Sequence, residues 1–177
     1  MATENIYSRY ARRAREADVT RGSKDSVDWF RKAIRKDRRP SFERVQEGLK
    51  SGRIQPGGMF IYEYIPLSKE RIPYYDQYPL VLVLEMTKNG WYGLNLHYLA
   101  PAVRAKVLAE FWSRSRSGLN IAKAIGRSQY GKQALKRYVA TQTRGTPKRV
   151  PKADWEIAIS LPFEGFQKAS AKTAWRG

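Results

Sequence analysis

The sequence predicts an α+β fold: a small antiparallel twisted sheet or SH3-like barrel that carries basic helical arms. Three observations lead there. Charge is segregated along the chain, the neutral centre alternates like strands, and Asn89-Gly90 joins two apolar runs as a hairpin signal. The chain has 177 residues and a net charge of +18. Residues 1–56 hold 15 basic and 8 acidic side chains, residues 57–100 hold 3 and 4, and residues 101–177 hold 16 and 4. The predicted division is therefore a basic helical N-terminal arm (1–56), a neutral aromatic-rich β core (57–100), and a basic helical region with a further strand at 155–161 (101–177).

The elements follow in order. Ile6, Tyr10 and Ala14 recur at i, i+4 and predict a helix over 5–17 crowded with Arg9, Arg12, Arg13 and Arg15. A second helix runs from Ser26 to about Lys36, with caps at Ser23 and Asp25 and an apolar face of Phe30, Ala33 and Ile34. Arg39-Pro40 ends it, and a short helix spans 42–49. Gly57-Gly58 turns the chain into 59–65, where Met59, Ile61 and Ile65 oppose Phe60, Tyr62 and Tyr64. The continuous apolar run 80–86 reads as a buried strand, and 91–96 returns from the Asn-Gly turn, whose glycine accepts φ > 0. Pro101 opens a helix to Trp112. Helices are expected at 119–124 and 129–140, a basic loop at 143–152, a strand at 155–161 from alternating Trp155, Ile157, Ile159 and Leu161, and a terminal helix at 163–175.

Composition removes several function classes. Cysteine is absent, so disulfides, thiolate metal sites and cysteine nucleophiles are out. A single histidine, His97, cannot build a His-rich metal centre. The run 79–84 is far too short to span a bilayer, and the polar, Arg-rich start lacks the apolar stretch of a secretory signal. The expected product is made in a reducing cytoplasm and needs no cofactor and no metal.

An enzyme would draw on Glu63, Asp76, Glu85, Lys88 and His97. A metal-dependent nuclease wants an Asp followed by Glu-x-Lys on the next strand, and Glu85-Met86-Thr87-Lys88 is one residue too long, which puts the two side chains on opposite faces. His97 has no orienting carboxylate or nucleophile adjacent in sequence and reads as a packed, hydrogen-bonded core residue. Neither Gly57-Gly58 nor the 90–93 stretch matches a phosphate-binding loop. Tyr74-Tyr75-Asp76-Gln77-Tyr78 has the aromatic density of a base-stacking platform, but the bracketing Pro73 and Pro79 favour packing.

The basic tracts are the stronger signal, because clustered cations neutralise backbone phosphates and release counterions without reading sequence. The candidate DNA contacts are Arg35, Lys36, Arg38, Arg39, Lys132, Lys136, Arg137, Lys148 and Arg149. Arg114 and Arg116, within Ser-Arg-Ser-Arg-Ser, offer the same chemistry in a loop. The competing use of such surfaces is pairing with acidic protein neighbours.

The stretches 72–82 (Ile-Pro-Tyr-Tyr-Asp-Gln-Tyr-Pro-Leu-Val-Leu) and 93–99 (Gly-Leu-Asn-Leu-His-Tyr-Leu), with Lys136-Arg137-Tyr138, Trp155-Glu156-Ile157 and Leu161-Pro162, resemble a virion protein family of T-even-like, contractile-tailed phages. The similarity covers 57–177. The label nearest to it is the DNA end protectors, carried on the terminus of packaged DNA; a tail or baseplate component of the same phages is the rival. The resemblance implies a phage structural protein and brings no catalytic residues. The resulting expectation is a non-enzymatic virion protein that contacts the double-stranded DNA backbone through basic arms. The alternative is a tail, baseplate or neck subunit whose arms bind neighbouring virion proteins and order only in the assembly.

Overall fold

The computed structural model describes residues 3–112, 114, 115 and 117–177. Three helices come first: α1 (Ile6–Glu16), α2 (Lys24–Arg35) and α3 (Phe42–Gln46). Local chemistry sets their starts. Asn5 caps α1 by accepting from Ser8 N, and Ser23 and Ser26 form a reciprocal capping box on α2. Then come β1 (Lys50–Ser51), β2 (Met59–Tyr64), β3 (Tyr75–Asp76), β4 (Leu80–Thr87) and β5 (Gly90–Asn95). The chain continues through α4 (Pro101–Trp112), α5 (Gly118–Arg127), α6 (Gly131–Ala134), β6 (Leu135–Val139) and β7 (Thr143–Val150). It ends with α7 (Trp155–Ala158), β8 (Phe166–Gln167) and α8 (Ala171–Trp175).

Six strands form one antiparallel sheet in the order β1-β7-β2-β4-β5-β6, and β3 pairs with β8 apart from it. The alternation of β2 decides the layers. Met59 and Ile61 enter the large core under the helices, while Phe60, Tyr62 and Tyr64 enter a second cluster with Val81, Val83, Trp91 and Tyr138. The sheet is strongly curled about this second cluster. Strands β2 and β6 are three spacings apart, about 14 Å in a flat sheet, yet the Tyr64 and Tyr138 ring centroids are 4.9 Å apart. The Tyr64 hydroxyl accepts from Val139 N at 3.1 Å, bridging the ends of β2 and β6. No ladder joins β6 to β7, so of the two predicted forms it is the open twisted sheet that is present, not a closed barrel.

The N-terminal helices share the large core. Tyr10 and Ala14 of α1 and Phe30 and Ile34 of α2 are buried with Leu82 of the sheet and Leu108 of α4.

Four local expectations are corrected. Residues 155–161 form a short helix and a turn rather than a strand, because the polar positions are as buried as the apolar ones: Glu156 is 1% exposed, and the Ser160 hydroxyl donates to Glu156 O. A period of two carries no face information when every side is packed. The helix expected over 129–140 is cut to one turn, after which β6 takes up the free edge of β5. The basic loop at 143–152 is largely β7; its register jumps from Ile61↔Lys148 to Glu63↔Arg144, so a bulge absorbs Pro147 and Gly145, the latter at φ 68°. The terminal helix is only α8.

The β4–β5 hairpin forms as expected, but for a different reason at its glycine. Thr87 pairs with Gly90, so Lys88 and Asn89 make the turn, and Gly90 is not at positive φ. Its hydrogen is required because a Cβ there would lie 1.9 Å from Tyr138 O.

Candidate nucleic-acid interface

The nine sequence-predicted cations fall into three places. Arg35, Lys36, Arg38 and Arg39 lie at and beyond the C-terminal end of α2, Lys132 lies on α6 with Lys136 and Arg137 on β6, and Lys148 and Arg149 lie on β7. The sheet order puts β6 at one edge and β7 next to the other, with β2, β4 and β5 between them, so the last two groups are not neighbours in the sheet.

Carboxylates near the first arm are spent locally. Asp37 takes Arg13 at 2.7 Å, Arg9 at 3.8 Å and the Tyr10 hydroxyl at 2.5 Å. The Tyr10 hydrogen bond, helped by Arg13, holds the Asp37 carboxyl below its ordinary range against the opposing effect of burial. Arg12 bridges Glu4 and Glu16, and Asp28 pairs with Arg31 and Lys32. Arg39 donates to Glu164 O. Arg35, Lys36 and Arg38 are exposed and have no ion pair among the described residues.

The β1–β7 edge is the most pointed arrangement. Register places Lys50 directly opposite Arg149 and Ser51 opposite Lys148, and the Lys148 ammonium donates to the Ser51 hydroxyl at 3.2 Å. Two exposed cations face each other with no carboxylate partner among the described residues, a juxtaposition that destabilises a sheet unless an anion joins it. Exposed Arg53 follows two residues after Ser51, where Gly52 N donates to Pro147 O. Lys50 and Arg53 escape sequence reading because only the pairing of β1 with β7, about 100 residues apart, brings them to Arg149.

Of the enzyme candidates Asp76 and His97 are brought together, but both are buried in the core. Asp76 is 3% exposed and its oxygens are saturated: Oδ1 accepts from Tyr78 N (3.1 Å) and Gly165 N (2.9 Å), and Oδ2 accepts from Asn95 Nδ2 (3.1 Å) and faces His97 Nδ1 (2.8 Å). His97 is a buried core residue, as its sequence context predicts, but Asp76 supplies an orienting carboxylate that lies 21 residues away. Burial pushes the Asp76 carboxyl up, and the His97 ring with the Gly165 and Asn95 hydrogen bonds outweighs it, so its pKa is lowered. Glu85 sits five residues into β4 beyond Leu80, about 17 Å along the strand. No cluster able to hold a metal was found among the described residues, and no helix among them is long and apolar enough to cross a membrane.

Arg116 lies outside the described residues, and Arg114 pairs with Glu110 at 3.8 Å. The tyrosine stretch is split in use. Tyr78 stacks on Phe42 with centroids 4.2 Å apart and Tyr74 on Tyr98 at 6.1 Å, whereas Tyr74 and Tyr75 keep partly open faces.

The fold is that of an α+β protein whose exposed cations at the end of α2 and along β1–β7 lack carboxylate partners among the described residues. Residues 5–176 match the family described as the Phage T4 terminal DNA protecting protein, and the chain belongs to that phage family. No curated protein and no solved structure matches it.

Proposed function

We propose that this chain is a non-enzymatic structural protein of the virion that sits on the end of packaged duplex DNA and grips its phosphates. The observation that carries the reading is the Lys50–Arg149 pair, two opposed cations without a carboxylate, in a chain of net charge +18 from a DNA end-protecting family. Lys148 on β7 and Arg53 just beyond β1 extend this patch, while Arg35, Lys36 and Arg38 offer a second and Lys132 a third. Synthesis in the host cytoplasm fits a chain without cysteine.

Binding to linear and closed-circular duplexes of equal length tests this reading. The expected result is tight binding at ~50 mM salt that falls by about 10³ or more toward ~200 mM, with preference for the linear form and protection of its ends from an exonuclease. Failure to bind either DNA at ~50 mM salt overturns it and assigns the basic surfaces to protein neighbours in the tail, baseplate or neck.

A further inference from the structure

We propose that the groove between the 65–79 loop and strand β6 holds the unpaired terminal nucleotide of a DNA strand, its base against tyrosine rings and its phosphate at Lys136 and Arg137. The inference rests on the DNA-end reading and adds to it the form of the end that is recognised.

The groove encloses about 560 Å³, within the size range of small-ligand sites. Tyr74, Tyr75 and Tyr98 line it, with Leu67 at its rim, 76% exposed. Tyr74 already stacks on Tyr98, with an interplanar angle of 29°, and abuts Phe166 edge-on, so the aromatic wall is in place before any ligand arrives. Every base has a π-face, and such a wall accepts it whatever the sequence.

Charge complementarity selects the occupant. The Lys136 ammonium lies 3.9 Å from the centroid of the Tyr98 ring, half-buried, with no carboxylate and no hydrogen-bond acceptor among the described residues. Burial lowers its pKa by stripping water from the charged form, and an anion in the groove would compensate for that lost solvation. Arg137, next on β6, also lines the groove, and among the described residues its side chain donates to the exposed Asn89 side chain, leaving other donors free. The acid that lines the groove, Asp76, is saturated by its four contacts and repels little that the cations do not offset. Those same contacts tie the loop to β5 and to Gly165, and Lys168 holds its outer end by donating to Lys69 O and Ile72 O. The wall is therefore fixed, and a base in a continuous duplex, stacked on both sides, enters it only at the cost of unstacking and unpairing, whereas an unpaired end supplies one without that cost.

The test uses the full chain and duplexes carrying 2-aminopurine at the terminal nucleotide of a short single-stranded overhang, at an internal position, or at a blunt end. Binding should quench the overhang probe and leave the internal probe unchanged. Overhang DNA should bind about 10-fold more tightly than blunt DNA, a margin that Tyr74→Leu and Lys136→Gln each erase, Tyr74→Leu without altering affinity for closed-circular duplex. Tight binding of all duplexes with no quenching and no overhang preference overturns the groove assignment and leaves DNA binding standing. Absence of binding to every DNA overturns the DNA-end reading itself, and the groove assignment falls with it. The quenching is read on the unaltered protein, so a variant that fails to fold does not decide the question.

Discussion

At the scale of single residues, the buried polar groups hold the molecule to one arrangement. Asp76 joins β3, the 3-10 turn after β5 and the segment before β8 through four contacts, those to Asn95 and His97 fully buried. Arg104 does the same for α4: it is 1% exposed, donates to Leu99 O at 2.7 Å and His97 O at 3.3 Å, and pairs with Glu164 at 3.6 Å. Asp76→Asn removes the charge and turns an amide toward the donors of Asn95 and His97, and it should cost about 3–5 kcal/mol, read as a lower midpoint in urea. The pH dependence has a definite sign. The Asp76 carboxyl titrates below its ordinary value of 3.8 in the folded protein, so the unfolded chain takes up its proton first as pH falls. Its contribution is full above the unfolded value and is lost as pH drops through the folded one. Stability should therefore decline on acidification below about pH 4, less steeply in Asp76→Asn than in the unaltered protein.

Among the elements, the β1–β7 pair separates a structural role from a binding role. Lys50→Gln with Arg149→Gln relieves a like-charge contact, so the thermal midpoint should hold or rise. If both side chains meet phosphates, the same double variant lowers the slope of log affinity against log salt by about 2. A slope that does not change removes this edge from the interface. The elements also show what was legible in the sequence. Strands β2, β4 and β5 were readable because each has one polar-leaning or turn-bounded pattern and pairs with a near neighbour. Helix α7 was not, since Glu156 is drawn inside by the Ser26 hydroxyl and Gly22 N, partners about 130 residues away. Nor was β7, whose Pro147 and Gly145 look like a loop until the bulge opposite β2 accommodates them. For the candidate site, the cations themselves were legible, but not their grouping. Lys136 and Arg137 were expected on a helix and sit on a sheet edge, and Lys50 and the Tyr98 wall come to them or to Arg149 only through long-range pairing.

On the scale of the whole molecule, the question is whether residues 1–56 are arms that wait for a partner or part of the fold. They carry 15 of the chain's Lys and Arg residues, so trypsin has ample sites there. Cleavage needs an extended, accessible backbone, and the rate tracks the free energy of opening the segment. Opening α1 and α2 would expose Tyr10, Val27, Phe30 and Ile34 and uncover the faces of α4 and α7 they pack against, so it should cost nearly as much as global unfolding. The polar ties point the same way: Arg21 donates to Ala153 O, Gly22 N donates to Glu156, and Arg39 reaches Glu164 O. Brief trypsin treatment of the isolated protein should therefore leave 1–56 attached to the remainder. Mass spectrometry of the fragments decides it. Release of an N-terminal piece ahead of any cut in 57–100 would mean that these helices dock only in an assembly, which favours the protein-neighbour reading of their cations. Retention makes them a rigid platform, and rigid cations gain more from a phosphate because less side-chain and backbone freedom is lost on contact.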